Sequence, residues 1–341
     1  MKALTVNFIL GASVYYESLL KESCRLGINT NWWAPLHNNI ALPNESPYSG
    51  QQRRIFDKNI ADKYNAVLRN EKWITEQTEG VFFVCEGIKS NIVKRNKNTH
   101  IFSFIVNTDF KILYPKYINN VDWVLLPNKH YVTYYNAAHG NQLDTCKNLY
   151  FGSTKYDNLN FNSKQIYEKY SIHSDMPVAI VFLPKPADIN KVKLKKILNI
   201  LKSKGFFVFT KSRPKDPISK KYWGDSFLET SYYPCTSLEL ISISDIVINF
   251  DSSVVEEAIM SEKNIINFAV KNSVKPLYFL YDNICAVNLL PPFNYDLFSS
   301  HIDRMRGNKF SDEFSKIKNT YLYQNGNIAN KIIQFILSGN L

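Results

Sequence analysis

The sequence predicts an α/β protein built from two open parallel-sheet domains in tandem. Three observations carry this. Apolar runs alternate with amphipathic stretches from end to end, the pattern of parallel strands covered by helices. A polar segment at 152–177, "GSTKYDNLNFNSKQIYEKYSIHSDMP", interrupts the alternation, which then restarts. At 341 residues, with 45% hydrophobic residues and only 12 Gly and 14 Pro, the chain is long enough for two cores.

In the first half the expected strands are "ALTVNFIL" (3–10), "INTNWWA" (28–34), "GVFFVC" (80–85), "HIFSFIV" (100–106), "VDWVLL" (121–126) and "NLYF" (148–151). Each is a short apolar run of the kind that fills a buried strand. Between them, "SVYYESLLKESCRLG" (13–27) and "RRIFDKNIADKYNAVLRNE" (53–71) have helical spacing. After the break come "VAIVFLP" (178–184), the amphipathic "KVKLKKILNILKSKG" (191–205), "FFVFT" (206–210), "SLELISI" (237–243), "DIVINF" (245–250) and "NIINFAV" (264–270). Helical patterns at 295–307, 311–322 and 327–337 close the chain. The expected domains are 1–165 and 166–341, hinged in the polar segment, with the last helix a candidate to return to the first domain.

Composition narrows the function classes. The balance of 41 Lys and Arg against 30 Asp and Glu gives a net charge of +11, which favours an anionic partner. The basic residues are spread along the chain, much of "KVKLKKILNILKSK" is the solvated face of a helix, and no zinc-finger, RRM or KH signature is present, so nucleic acid is not the expected partner. Five cysteines (Cys24, Cys85, Cys146, Cys235, Cys285) are scattered singly, which indicates neither a disulfide framework nor a zinc site. No apolar run approaches the ~20 residues that span a bilayer. "MKALTVNFILGASVYYE" lacks a cleavage site after its short apolar run and reads as a first strand, so the expected location is the cytoplasm.

The stretch "NFDSSVVEEAIM" (249–260) carries the strongest local signal. It reads as a strand, a tight turn and a helix start. In open parallel sheets, ligands bind beyond the carboxyl ends of strands, where backbone N–H groups at helix starts meet phosphates. Ser252 and Ser253 fall at that turn, and their amides and hydroxyls could hold a diphosphate. Glu256 or Glu257, one turn further, could reach a ribose or sugar hydroxyl. The competing reading is simple capping by Asp251 or Ser252, with the carboxylates favourable in the early helix.

The arrangement of "SDIVINFDSSVVEEA" followed by "SEKNIINFAV" resembles the nucleotide-binding half of GT-B glycosyltransferases. Within that group it is similar to CDP-glycerol glycerophosphotransferases, capsule and Kdo transferases, and the related UDP-N-acetylglucosamine 2-epimerases. "FTKSRPKD" (209–216) is similar to their strand-end "K-x-H-P", with Arg213 where His is commoner. "VFLPKP" (181–186) resembles their first strand and loop, and "NLYFGSTKYDNL" (148–159) the "G-N-P-x-x-D" segment that ends the first domain. The resemblance implies a GT-B fold, two Rossmann-like domains facing each other across a cleft. Residues 1–165 would bind the acceptor and residues 166–341 the nucleotide donor.

Departures from the pattern limit what carries over. The glycerophosphotransferase "H-G-T-P" segment is absent from the first half, so its catalytic histidine has no counterpart. The epimerases' "G-D-T" and "H-V-E-A-G" segments become "CEGIKSN" (85–91) and "VNTDF" (106–110), which keep one carboxylate each, Glu86 and Asp109, but lose the histidine and the second acid. Epimerase chemistry is therefore the less favoured reading.

In a GT-B transferase the donor's leaving phosphate carries most of the chemistry, and the protein must neutralise it. Helix amides, Ser252, Ser253 and the cations Lys185, Lys211 and Arg213 could do so, with Glu257 on the ribose. No DxD-type acidic pair stands in a suitable place, so neither a metal nor a separate cofactor is expected. An inverting transfer also needs a base at the acceptor hydroxyl, for which Glu86 and Asp109 are the candidates and Glu17 the third. His130 and His139 are read as structural. Two readings stand. One is a transferase moving a sugar or phosphopolyol from a nucleotide-activated donor to a glycan or lipid-linked acceptor of a surface polysaccharide, peripheral at an anionic inner membrane face. The other is a noncatalytic nucleotide-sugar or polyanion binder of the same fold.

Overall fold

The computed structural model describes residues 4–9, 13–34, 58–85, 91–105, 118–145, 147–172, 175–185, 187–211, 227–228, 236–270, 278–281, 283–323, 326–339 and 341. The chain divides into two compact units. The first comprises residues 1–41, 50–158 and 319–341, and the second 42–49 and 159–318. The C-terminal residues thus belong with the first unit, whereas the boundary expected at 166–341 puts them in the second.

Among the described residues the first unit holds seven strands: β1 (Thr5–Ile9), β2 (Asn29–Trp33), β3 (Val67–Leu68), β4 (Gly80–Cys85), β5 (Thr99–Phe104), β6 (Trp123–Leu126) and β7 (Lys147–Tyr150). They form one sheet in the order β3-β2-β1-β4-β5-β6-β7. Every pairing is parallel. A sheet covered on both faces buries near-continuous apolar runs, which is why "GVFFVC" reads as a strand without alternation. Helix α1 (Ser13–Arg25) follows β1, α2 (Glu71–Thr75) follows β3, and α3 (His130–His139) follows β6. The expected helix at 53–71 is helical over 58–63 and then contains strand β3. Asn65 takes a left-handed conformation, φ 54°, which ends the helix and turns the chain into the strand.

The second unit contains α4 (Ser163–Lys169), β8 (Val178–Phe182), α5 (Lys191–Ser203), β9 (Phe207–Lys211), β10 (Phe227–Leu228), α6 (Thr236–Ile243), β11 (Ile246–Asn249), α7 (Val254–Met260), β12 (Asn264–Phe268), β13 (Ala286–Leu289), α8 (Tyr295–Met305) and α9 (Ser311–Ile317). Its six-stranded sheet runs β10-β9-β8-β11-β12-β13, again all parallel. Helix α5 buries Leu194, Ile197, Leu198 and Leu201, one stripe at helical spacing, and leaves its lysines outward. Asn190 caps it, accepting from the Lys193 N–H at 2.9 Å.

Helix α10 (Ile328–Leu337) closes the first unit. Ile328, Ala329, Ile332, Ile333 and Ile336 are buried in the core that β1, β4 and α1 share. Phe335 stands edge-on to Trp123, ring centres 5.1 Å apart. Its amino end is fully satisfied. Asp157 accepts from the N–H groups of Ile328 at 2.9 Å and Ala329 at 2.8 Å, and Asn327 accepts from Asn330 at 3.0 Å. Asp157 is the acid of "GSTKYD", so here that segment secures the returning helix. Among the described residues no helix is long and apolar enough to cross a membrane.

Candidate functional site

The strand order of the second unit places the site. Numbered within that unit, the sheet runs 3-2-1-4-5-6, so the connections reverse direction between β8 and β11. At such a switch point the loops leaving the two central strands diverge and open a crevice at their carboxyl ends. Lys185 lies three residues beyond β8, and the Asp251–Ser253 turn follows β11. Lys211 is the last residue of β9, in register with Phe182 of β8. Three adjacent strands thus deliver Lys185, Lys211, Ser252 and Ser253 to one edge of one sheet.

The turn after β11 is held from below by an asparagine layer. Asn249, Asn267 and Asn288 are in register on β11, β12 and β13. Asn267 donates to Asn288 Oδ1 at 2.8 Å and to Asp251 Oδ1 at 3.0 Å, and accepts from the Asp251 N–H at 2.7 Å. The other Asp251 oxygen accepts from the Val270 N–H at 3.0 Å. Asn249 donates to the Ser252 carbonyl at 2.9 Å and to the Tyr281 hydroxyl at 2.7 Å. Asp251 has a left-handed φ of 53°, costly for a non-glycine residue, and these bonds fix it there. Sequence reading missed the asparagines. The recurrence of "VINF", "IINF" and "AVNL", an Asn near the end of three successive strands, is the signal that could have found them.

Ser253 occupies the N-cap position of α7 but makes no side-chain capping bond, and the Asp251 carboxylate reaches Val270 and Asn267 on the β12 side. Ser252 is exposed and Ser253 partly so. Glu256 and Glu257 are both buried, 7% and 5% exposed, within a helix buried at all seven positions. Lys185 is exposed, whereas Lys211 is only 8% exposed, so the second is no ordinary solvated cation. Arg213 lies outside the described residues.

In the first unit the candidate bases Glu86 and Asp109, which follow β4 and β5, also lie outside the described residues. Glu17 lies on α1, where its carboxylate accepts from the Tyr64 hydroxyl at 3.3 Å and pairs with Lys63 at 3.7 Å. That arrangement ties the 58–64 segment to α1. The His130 ring packs against Tyr321, centres 5.4 Å apart, and burial lowers its pKa. Of the cysteines, Cys285 is buried beside Asn283, and burial pushes its thiol pKa up to about 12.

No protein-family model and no curated protein matches the chain by sequence. Solved structures do match, over nearly the whole length. The wall teichoic acid polymerase TagF, solved with CDPG, aligns with TM-score 0.64 at 13% identity over 100% of this chain and 90% of its own. A glycosyltransferase from Rickettsia africae aligns with TM-score 0.58 at 13% identity over 99% of both chains. The UDP-GlcNAc 2-epimerase of Methanocaldococcus jannaschii, in complex with UDP-GlcNAc and UDP, aligns with TM-score 0.59 at 13% identity over 98% of this chain and 100% of its own. At such identities the likeness speaks for architecture, and it agrees with the two parallel sheets, each with its own switch point. The chain has the GT-B fold, two Rossmann-like domains in one polypeptide.

Proposed function

We propose that this protein is a metal-independent glycosyltransferase or phosphopolyol transferase that takes a nucleotide-activated donor at the carboxyl edge of its second sheet. The observation that supports the reading is the switch point between β8 and β11, with Lys185 following β8, Lys211 ending the adjacent β9 and the Ser252–Ser253 turn following β11. The α7 amides and the serine hydroxyls would hold the donor phosphates, the lysines and Arg213 would neutralise the leaving group, and Glu257 would accept from the ribose. The acceptor is a glycan or lipid-linked glycan, and the base that takes its proton is Glu86 or Asp109, with Glu17 third. TagF and the Rickettsia africae glycosyltransferase share the fold and favour transfer. The epimerases share it too, but the acid and histidine pairs of their motifs are incomplete in this sequence. The net charge of +11 supports an anionic membrane face as the place of work.

The testing experiment is a thermal-shift series with CMP, CDP, UDP, GDP and their sugar or glycerol conjugates, followed by turnover of the donor that stabilises most. Donor consumption only with an acceptor present supports transfer. Stabilisation without turnover on any acceptor selects the noncatalytic binder, and interconversion of the free donor selects the epimerase.

A further inference from the structure

The first unit carries a cavity at the end of the sheet opposite the strand carboxyl ends. It measures about 490 Å³ and is lined by the first residues of β1 and β2, Thr5 and Asn29, the turns before β2 and β3, and Arg69, Trp73 and Gln77 beyond β3. Among the described residues, thirteen line it, with one cation, Arg69, and no acid. That volume lies within the range of about 300–1,000 Å³ typical of small-molecule sites.

The Arg69 guanidinium is positioned with care. Its Nε donates to Asn31 Oδ1 at 2.9 Å, and its Cζ lies over the Trp73 ring, 4.3 Å from the ring centre. Asn31 is oriented in turn by Asn7, donating to its Oδ1 at 3.1 Å. The two asparagines sit side by side on β1 and β2, in register and 1% and 6% exposed. Polar side chains inside a parallel sheet cost stability unless bonded, and this pair forms a chain whose outer end is the arginine. The close quarters require glycine at position 80: with φ 115°, a Cβ there would stand 2.9 Å from the Thr5 carbonyl and 3.2 Å from Asn7 Nδ2. With Nε engaged and its Cζ over Trp73, Arg69 keeps the planar fork of its two terminal nitrogens, which matches a carboxylate or phosphate.

We propose that this cavity is a second ligand site, taking a small molecule that carries a carboxylate or phosphate beside hydroxyl groups. The oxyanion sits on the Arg69 fork, and the hydroxyls meet the side chains of Asn29 and Gln77 along the rim. The site lies wholly within the first unit and makes no use of the serine turn after β11.

Calorimetric titration of the full chain with glucuronate, glucose 1-phosphate and neutral glucose tests this. Saturable binding is expected for at least one of the two anions and none for glucose, and the tighter anion tells carboxylate from phosphate. R69Q, which retains an N–H for Asn31, should weaken that binding by about tenfold or more, with R69K intermediate because it keeps the charge and loses the fork. Asn29 is exposed, so N29D should leave melting unchanged yet weaken binding by placing a negative charge on the rim. The double variant S252A/S253A should bind like the parent, separating this site from the donor site. The proposal is overturned if neither anion binds, if glucose binds as well as its charged counterparts, if R69Q and N29D both bind like the parent, or if binding is lost with the serines instead.

Discussion

Replacing Asp157 by alanine tests how the returning helix is held. Its two oxygens accept from the first two N–H groups of α10, at 2.9 and 2.8 Å. Removing the carboxylate leaves two N–H groups at buried residues without a partner, each costing about 1–3 kcal/mol. A net loss of about 2–3 kcal/mol is expected for D157A, against about 1 kcal/mol for N327A, which removes an ordinary cap. The loss should be read in urea unfolding of the full chain and in amide exchange along Ile332–Ile336. Those amides should exchange roughly thirtyfold to a hundredfold faster if α10 releases locally, each 1.4 kcal/mol being about tenfold.

The same carboxyl has a pH signature. Burial raises its pKa and outweighs the lowering by the Ile328 and Ala329 N–H groups and by Lys331 and Lys21. The folded chain therefore keeps this proton to higher pH than the unfolded chain. Its contribution is fully present below the unfolded value of about 3.9 and is lost as pH rises through the folded one. The stability of the parent minus that of D157N should grow as pH falls from 7 towards 4. A D157A loss below about 0.5 kcal/mol with unchanged exchange would refute the helix-clamp account, and a parent-minus-D157N difference that shrinks on acidification would refute the pH argument.

Three further outcomes are expected. S252A or S253A should lower kcat/KM for the activated donor by about tenfold to a hundredfold, while stability falls by no more than the ~1 kcal/mol of a cap, since Ser253 makes no side-chain capping bond and Ser252 is exposed; parental kinetics with lowered melting would favour the capping reading. N267L should destabilise the second unit by about 2–3 kcal/mol, measured by urea titration, because it leaves Asp251 without the amide that fixes its left-handed backbone. Cys285, with its thiol pushed up to about 12 and fully buried, should resist an aromatic disulfide reagent at pH 8 until the protein is unfolded; rapid labelling of the native chain at that position would contradict the packing.

By itself the sequence determined the alternation of strands and helices, the two sheets and the location of the serine turn. Those features rest on local physics: apolar runs such as "GVFFVC" can only be buried, and "KVKLKKILNILKSK" shows its buried stripe directly. Tertiary structure decided the rest. Strands β3 and β10 are two residues long and exist only because a neighbouring strand pairs with them, so periodicity cannot announce them. β13 is likewise an edge strand with mixed burial, whose run "AVNL" has no alternation to read. The last helix is strongly apolar on one face, but its address in the first unit depends on Asp157, which lies 171 residues earlier in the chain from its partner Ile328. The asparagine layers Asn249–Asn267–Asn288 and Asn7–Asn31 arise from strand register, which brings residues far apart in sequence to the same height in a sheet. Register, and therefore what supports the serine turn and the arginine of the first unit, is a property of paired strands and is written in no single one of them.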